Sequence, residues 1–190
     1  MRAVISIVKS DLELGRRNRW VIFLNYWFPL IFFFAIGQMV GASGVGSVVQ
    51  LVTMVLVLGT LGNGLFGAGM RAVSEREQNI LRRFKVAPIT PVPLLIAAMS
   101  TGWITFIPLI GIVLALAHYL YGMSVPAQWP SLLAIVSLGI VAFRSIGLIV
   151  AAVVNSLQEA NIIIQMLYLP MMFVSGATFP VWMLPEWMQA

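Results

Sequence analysis

Apolar runs of about 20 residues, the length at which a helix crosses a bilayer, recur along this chain at Trp20–Val40, Val48–Met70, Leu94–Tyr119, Leu132–Val154 and Ala160–Ser175. A backbone placed in hydrocarbon must satisfy its own amides and carbonyls, so segments of this kind fold as helices. With 61% hydrophobic and 9% charged residues, the chain has too little polar surface to clothe a soluble domain. The expected fold class is therefore an all-α polytopic membrane protein with five spans and a single transmembrane domain over residues 1–190.

The few charges orient it. Apart from Arg144, the eleven Lys and Arg residues fall within the first 19 positions or within Arg71–Lys85. Basic residues beside apolar spans mark the cytosolic side, so both segments are expected inside, with the amino terminus cytosolic. The uncharged connections Gly41–Ser47 and Leu120–Pro130 suit the outside, and the short Asn155–Glu159 turn falls inside. The net charge of +5 then serves topology, and no nucleic-acid partner is expected. Residues 1–19 place Val4, Ile7, Val8 and Leu12 on one helical face, the pattern of a helix lying in the membrane interface.

The segment between spans two and three carries the densest pattern. Ser74-Glu-Arg-Glu77 fits a capping box, in which the serine bonds the third amide and the glutamate reaches back. Glu75 and Glu77 would occupy the first turn of a helix over 74–85, and Arg82, Arg83 and Lys85 the last, each complementing the helix dipole. Val73, Ile80, Leu81 and Phe84 form an apolar stripe along it, and Pro88 ends it. Such a helix is suited to docking a partner on the cytosolic face.

Several chemistries are poorly served. Cysteine is absent and His118 is the single histidine, so neither a disulfide framework nor a zinc site has its ligands. Lys9 and Lys85, the two lysines, follow Val8 and Phe84 and lie in no Gly-Lys-Ser/Thr loop of the kind that holds ATP phosphates. No Ser-His pair or paired aspartates occur within the spans, so the chain is read as a non-enzyme.

Arg144 lies about 12 residues into span four, where an arginine costs on the order of 3 kcal/mol unless it meets a partner or a wet cavity. It is expected to contact an anionic substrate, another helix, or a backbone carbonyl. Pro170 with Asn161 and Gln165 gives span five a polar, bent face that could line a path, and Met171, Met172 and Phe173 suit an adaptable apolar wall as well as plain packing. The glycines of span two, Gly59, Gly62, Gly64, Gly67 and Gly69, suit close helix packing.

Three stretches in this order resemble the permease subunit of type-2 ATP-binding-cassette exporters. They are Ser74-Glu-Arg-Glu-Gln-Asn-Ile-Leu-Arg-Arg-Phe-Lys-Val-Ala-Pro88, Glu159-Ala-Asn161, and Leu169 to Pro180 followed by Leu184-Pro-Glu-Trp187. The resemblance implies that 74–85 is a coupling helix seated on a nucleotide-binding ATPase subunit, with Glu75, Arg76, Glu77, Arg82 and Arg83 as contacts. It implies ATP and Mg in that partner and no cofactor in this chain. It also implies a second permease copy, as homodimer or heterodimer, around a translocation path with Arg144, Asn161, Gln165 and Met171 as candidate lining residues. The substrate would be amphiphilic: a drug, a lipid or a lipid-linked glycan, leaving the cytosol across the inner membrane. Residues 176–190 would begin an outer re-entrant segment before a sixth span that is missing here, so a fragment is expected. The alternative reading is a non-transporting scaffold that docks a cytosolic regulatory protein through 74–85.

Overall fold

The computed structural model describes residues 2–17, 19–40, 45–77, 91–124 and 128–175. Among these residues every regular element is a helix. In chain order they are α1 (Arg2–Arg17), α2 (Arg19–Ile22), a π-helical segment (Phe23–Trp27), α3 (Phe28–Val40), α4 (Val45–Glu77), α5 (Pro91–Tyr121), α6 (Trp129–Val153) and α7 (Leu157–Val174). Four are long and apolar enough to cross a membrane, over Val48–Glu77, Leu95–Tyr121, Trp129–Val153 and Leu157–Val174. The consecutive pieces α2, π and α3 together reach the length a fifth span needs. The fold is all-α and polytopic.

The π segment has a local cause. Pro29 has no amide hydrogen to give the carbonyl four residues back, and its ring crowds that turn. One extra residue is taken up instead, and the Phe28 amide bonds the Phe23 carbonyl five positions away. The widened turn lies beside a polar cluster. Asn63 Nδ2 donates to Thr105 Oγ1 at 3.1 Å and to Asn25 Oδ1 at 3.4 Å, and the Tyr26 hydroxyl donates to the Thr105 carbonyl at 2.6 Å. Hydrogen bonds between helices hold membrane bundles together where lipid supplies no hydrophobic drive.

Helix α4 is the axis of the bundle. About 72% of its span window is buried, against 11% for α7, so the outer helices pack around it and expose apolar side chains on their other faces. Leu51, Val55, Leu58, Leu61 and Leu65 of α4 are buried, with Phe33 of α3 and Phe106, Leu109 and Val113 of α5. The closest packing is between α4 and α6. A β-carbon built on Gly69 would stand 2.7 Å from the Gly147 carbonyl oxygen, and one built on Gly147 would stand 2.8 Å from that of Leu65. Only hydrogen fits at either position, and that is why these two backbones can touch.

One expectation needs correction. The helix over 74–85 was expected to start afresh at a Ser74 cap, but Ser74 lies inside the 33-residue α4, which runs unbroken to Glu77. The stretch Met70 to Glu77 has no proline or glycine, so nothing interrupts the hydrogen-bond ladder of the span. The same Ser-x-x-Glu pattern recurs at Ser156–Glu159, and there it is used: Ser156 caps α7, and its hydroxyl accepts from the Glu159 amide at 3.2 Å. The other expected parts of the connection, Arg82, Arg83 and Lys85, lie outside the described residues, as does the expected re-entrant segment 176–190.

If the α4–α6 contact organises the bundle, Gly147→Leu should destabilise it by about 1–3 kcal/mol, the usual cost of overpacking. Gly111→Leu, where an added β-carbon meets nothing within 4 Å, should be near neutral. Equilibrium unfolding of both variants in mixed detergent checks the difference.

Candidate functional site: the charged end of helix α4

The last two turns of α4 carry Arg71, Glu75, Arg76 and Glu77, and each has an intramolecular partner. Arg71 Nε donates to Glu75 Oε1 at 2.8 Å, one turn along the same face. Arg71 Nη2 also pairs with Asp11 Oδ1 of α1. The other Asp11 oxygen accepts from the Thr101 hydroxyl of α5 at 3.2 Å. Asp11 therefore ties α1 to α4 and α5 at one point. Burial pushes its carboxyl above the usual aspartate value of 3.8, opposed by the Arg71 charge and the Thr101 hydroxyl.

These side chains border a cavity of about 280 Å³ whose far wall includes Arg144 of α6. Arg144 is 5% exposed. Its guanidinium lies between Gly67 of α4 and Gly102 of α5, where an added β-carbon would collide with it. Nη1 donates to the Ala98 carbonyl of α5, and Nε has no hydrogen-bond partner among the described residues. Arg144 thus bonds a backbone carbonyl of a neighbouring helix, one of the contacts expected for it. The two glycines make that arginine possible.

Arg76 and Glu77 point elsewhere, to the turn joining α6 and α7. Arg76 Nη1 donates to the Ala151 carbonyl at 3.1 Å, and Nη2 donates to the Val154 carbonyl. Glu77 Oε1 accepts from the Leu157 amide at 2.8 Å. Beneath them Val73, Ala151, Val154 and Ala160 form a small buried cluster.

The expected site residues thus separate into groups. Glu75, Arg76 and Glu77 gather at the end of α4, while Arg82 and Arg83 lie outside the described residues. Asn161 and Gln165 are exposed on α7, where Gln165 Nε2 donates to Asn161 Oδ1 at 3.1 Å. Met171 is half-buried one turn before the end of that helix. Arg144 is buried between helices, so it does not share a surface with Asn161 and Gln165. Sequence reasoning missed Asp11 and Thr101. A signal existed, because Asp11 is one turn after Ile7 and so interrupts the apolar face of α1. Among the described residues no three His, Cys, Asp or Glu side chains come together as a metal site requires.

The sign of the Asp11 shift is testable. A carboxyl with a raised folded-state pKa binds its proton more readily folded than unfolded. Its contribution to stability is therefore largest in acid and declines as pH rises from 3.8 through the shifted value. Isotope-edited infrared titration should place the Asp11 midpoint above 3.8, and Arg71→Gln, which removes the opposing charge, should raise it further.

Comparison with known proteins gives this geometry a setting. A family model described as ABC-2 type transporter matches residues 2–190. The chain is similar to the inner membrane transport permease YhhJ of Escherichia coli strain K12, 23% identical over 148 residues that cover 77% of this chain and 37% of the relative. The same figures hold for YhhJ of Shigella flexneri. The chain thus spans well under half the length of these curated relatives. No solved structure matches it. The family match over nearly every residue, on an all-helical bundle with membrane-length spans, makes this chain a member of the ABC-2 type transporter family.

Proposed function

We propose that the chain is the transmembrane permease part of an ATP-driven exporter in the inner membrane, working with a separate nucleotide-binding ATPase and a second permease copy. The observation that carries this reading is the continuity of α4. One helix runs from the buried axis of the bundle to Glu77, five positions before Arg82 in the basic stretch Arg82-Arg83-Phe84-Lys85. A push applied just past its end would act on the element around which the other helices pack. Membership of the ABC-2 family supports a transport role, and the names of the relatives support the inner membrane. The gathering of basic residues in the first 19 positions and in 71–85 supports a cytosolic position for both.

In this reading ATP and Mg belong to the partner, and closure of the ATPase pair moves the segment 74–85. Arg82 and Arg83 carry the charge contact with the partner. The path forms between two copies, lined by α2–α3, α4 and α7 by analogy with the family. The substrate is amphiphilic: a drug, a lipid or a lipid-linked glycan. Support for that class comes from α7, where exposed Asn161 and Gln165 lie among exposed Ile162, Met166 and Leu169. A surface of this kind offers both hydrogen bonds and apolar contact.

Affinity purification of the full-length protein in detergent should bring down an ATP-hydrolysing subunit. Reversing Arg82 and Arg83 to glutamate should lower that capture by at least about tenfold, as removal of paired interface charges does, without affecting membrane insertion. A captured partner that hydrolyses no ATP would make the chain a docking scaffold. Capture unaffected by the reversal would remove 82–83 from the interface.

A further inference from the structure

Arg76 and Glu77 are neighbours of opposite charge, and each meets the helix end that suits it. The carbonyl end of α6 carries partial negative charge and unsatisfied oxygens, and the amide end of α7 carries partial positive charge. Arg76 donates to two of those oxygens, on Ala151 and Val154, and Glu77 accepts from the first amide of α7, on Leu157. The turn between them is braced further by the Ser156 cap and by Glu159 Oε2, which accepts from the Asn155 amide at 2.8 Å. Val73, Ala151, Val154 and Ala160 pack together beneath it. A seven-residue step, two helical turns, separates Gly69 from Arg76 and Gly147 from Val154. The glycine contact and the clamp therefore lie along one seam.

From this geometry we infer that Arg76 and Glu77 are positioning residues, which join the end of α4 to the α6–α7 turn so that α7 moves with α4, and that they are not contacts to the ATPase. The inference deepens the proposed function, on which it rests for the origin of the motion. The clamp itself stands on bonds within this chain. Charge-assisted bonds of this kind are among the stronger polar contacts. Hinging at the turn would require breaking all three and opening the buried cluster. A push on the segment after Glu77 is thereby delivered to α7, the helix with exposed Asn161 and Gln165, as well as to α4.

Hydrogen exchange over residues 154–160, measured on the full-length protein with and without its captured ATPase, tests this. Arg76→Ala and Glu77→Ala should each speed exchange there by about tenfold, as loss of a hydrogen bond to a charged group does. Glu77→Gln keeps an acceptor oxygen and Arg76→Lys keeps a cationic donor, so both should stay within about twofold of wild type, the size of a surface dipole effect. All four variants should capture the ATPase at wild-type level. ATP with Mg added to the wild-type complex should alter exchange over 154–160, and in Arg76→Ala that response should vanish while the ATPase stays bound. Wild-type exchange in both alanine variants would overturn the clamp. Loss of ATPase capture in Glu77→Gln or Arg76→Lys with exchange unchanged would make these residues contacts after all. A nucleotide response that persisted in Arg76→Ala would overturn transmission through the joint. If the wild type itself captured no ATPase, the exporter reading would fail, and the alanine variants would still decide the clamp.

Discussion

The approach of α4 to α6 through Gly69 and Gly147 is the contact on which the arrangement depends. In lipid, apolar side chains gain nothing by leaving one helix surface for another. Association then rests on close packing and on hydrogen bonds that the close packing permits. A β-carbon at either glycine would have to overlap a carbonyl of the other helix. Forcing the two axes apart would carry the end of α6 away from Arg76. The same closeness seals the cluster of Val73, Ala151, Val154 and Ala160. Small residues at the helix contact therefore set the position of charged residues two turns away.

Charge in this bundle is compensated mainly by backbone. Arg144 bonds the Ala98 carbonyl, Arg76 bonds the carbonyls at the end of α6, and Glu77 bonds an amide at the start of α7. Arg71 differs, shared by the carboxylates of Asp11 and Glu75. Pairing with helix ends has a mechanical consequence that side-chain pairing lacks. An ion pair joins two flexible side chains, whereas a side chain bonded to a helix terminus holds the direction of a whole rod. Arg76 and Glu77 grip two rods at once, and Asp11 adds a third attachment through α1.

Much of the fold was legible because membrane helices announce themselves by length and apolarity. The spans read at Val48–Met70, Leu94–Tyr119, Leu132–Val154 and Ala160–Ser175 correspond to α4 to α7, each with ends displaced by a few residues. The largest discrepancy, at Met70, arose because charge was taken as the end of a span and hence of its helix. Hydropathy reports where the bilayer stops; the backbone ladder stops only where a breaker or a cap intervenes, and none occurs before Glu77. The glycines of span two were legible as packing positions, although nothing in the sequence pairs Gly69 with Gly147. The capping box was a correct pattern assigned to the wrong copy. Ser74-x-x-Glu77 and Ser156-x-x-Glu159 are equivalent in sequence, and only the second has its serine in extended conformation at a helix start. Arg76 and Glu77 were legible as functional charges but not as ones bonded within the chain, because their partners are main-chain atoms about 75 to 80 residues away.

That last point bears on how a charged loop should be read in a membrane protein. Opposite charges in adjacent positions look like an exposed surface when helix-face periodicity is the guide, since neighbours on a helix point about 100° apart. Around Arg76 and Glu77 that divergence is what the geometry uses, because the two helix ends they meet belong to different helices leaving one turn. A single charge could satisfy one terminus and would repel or ignore the other. A pair of one sign would oppose one dipole while favouring its neighbour. The Arg-Glu order at the end of α4 fits the order of the chain at the turn, where α6 ends in carbonyls before α7 begins in amides.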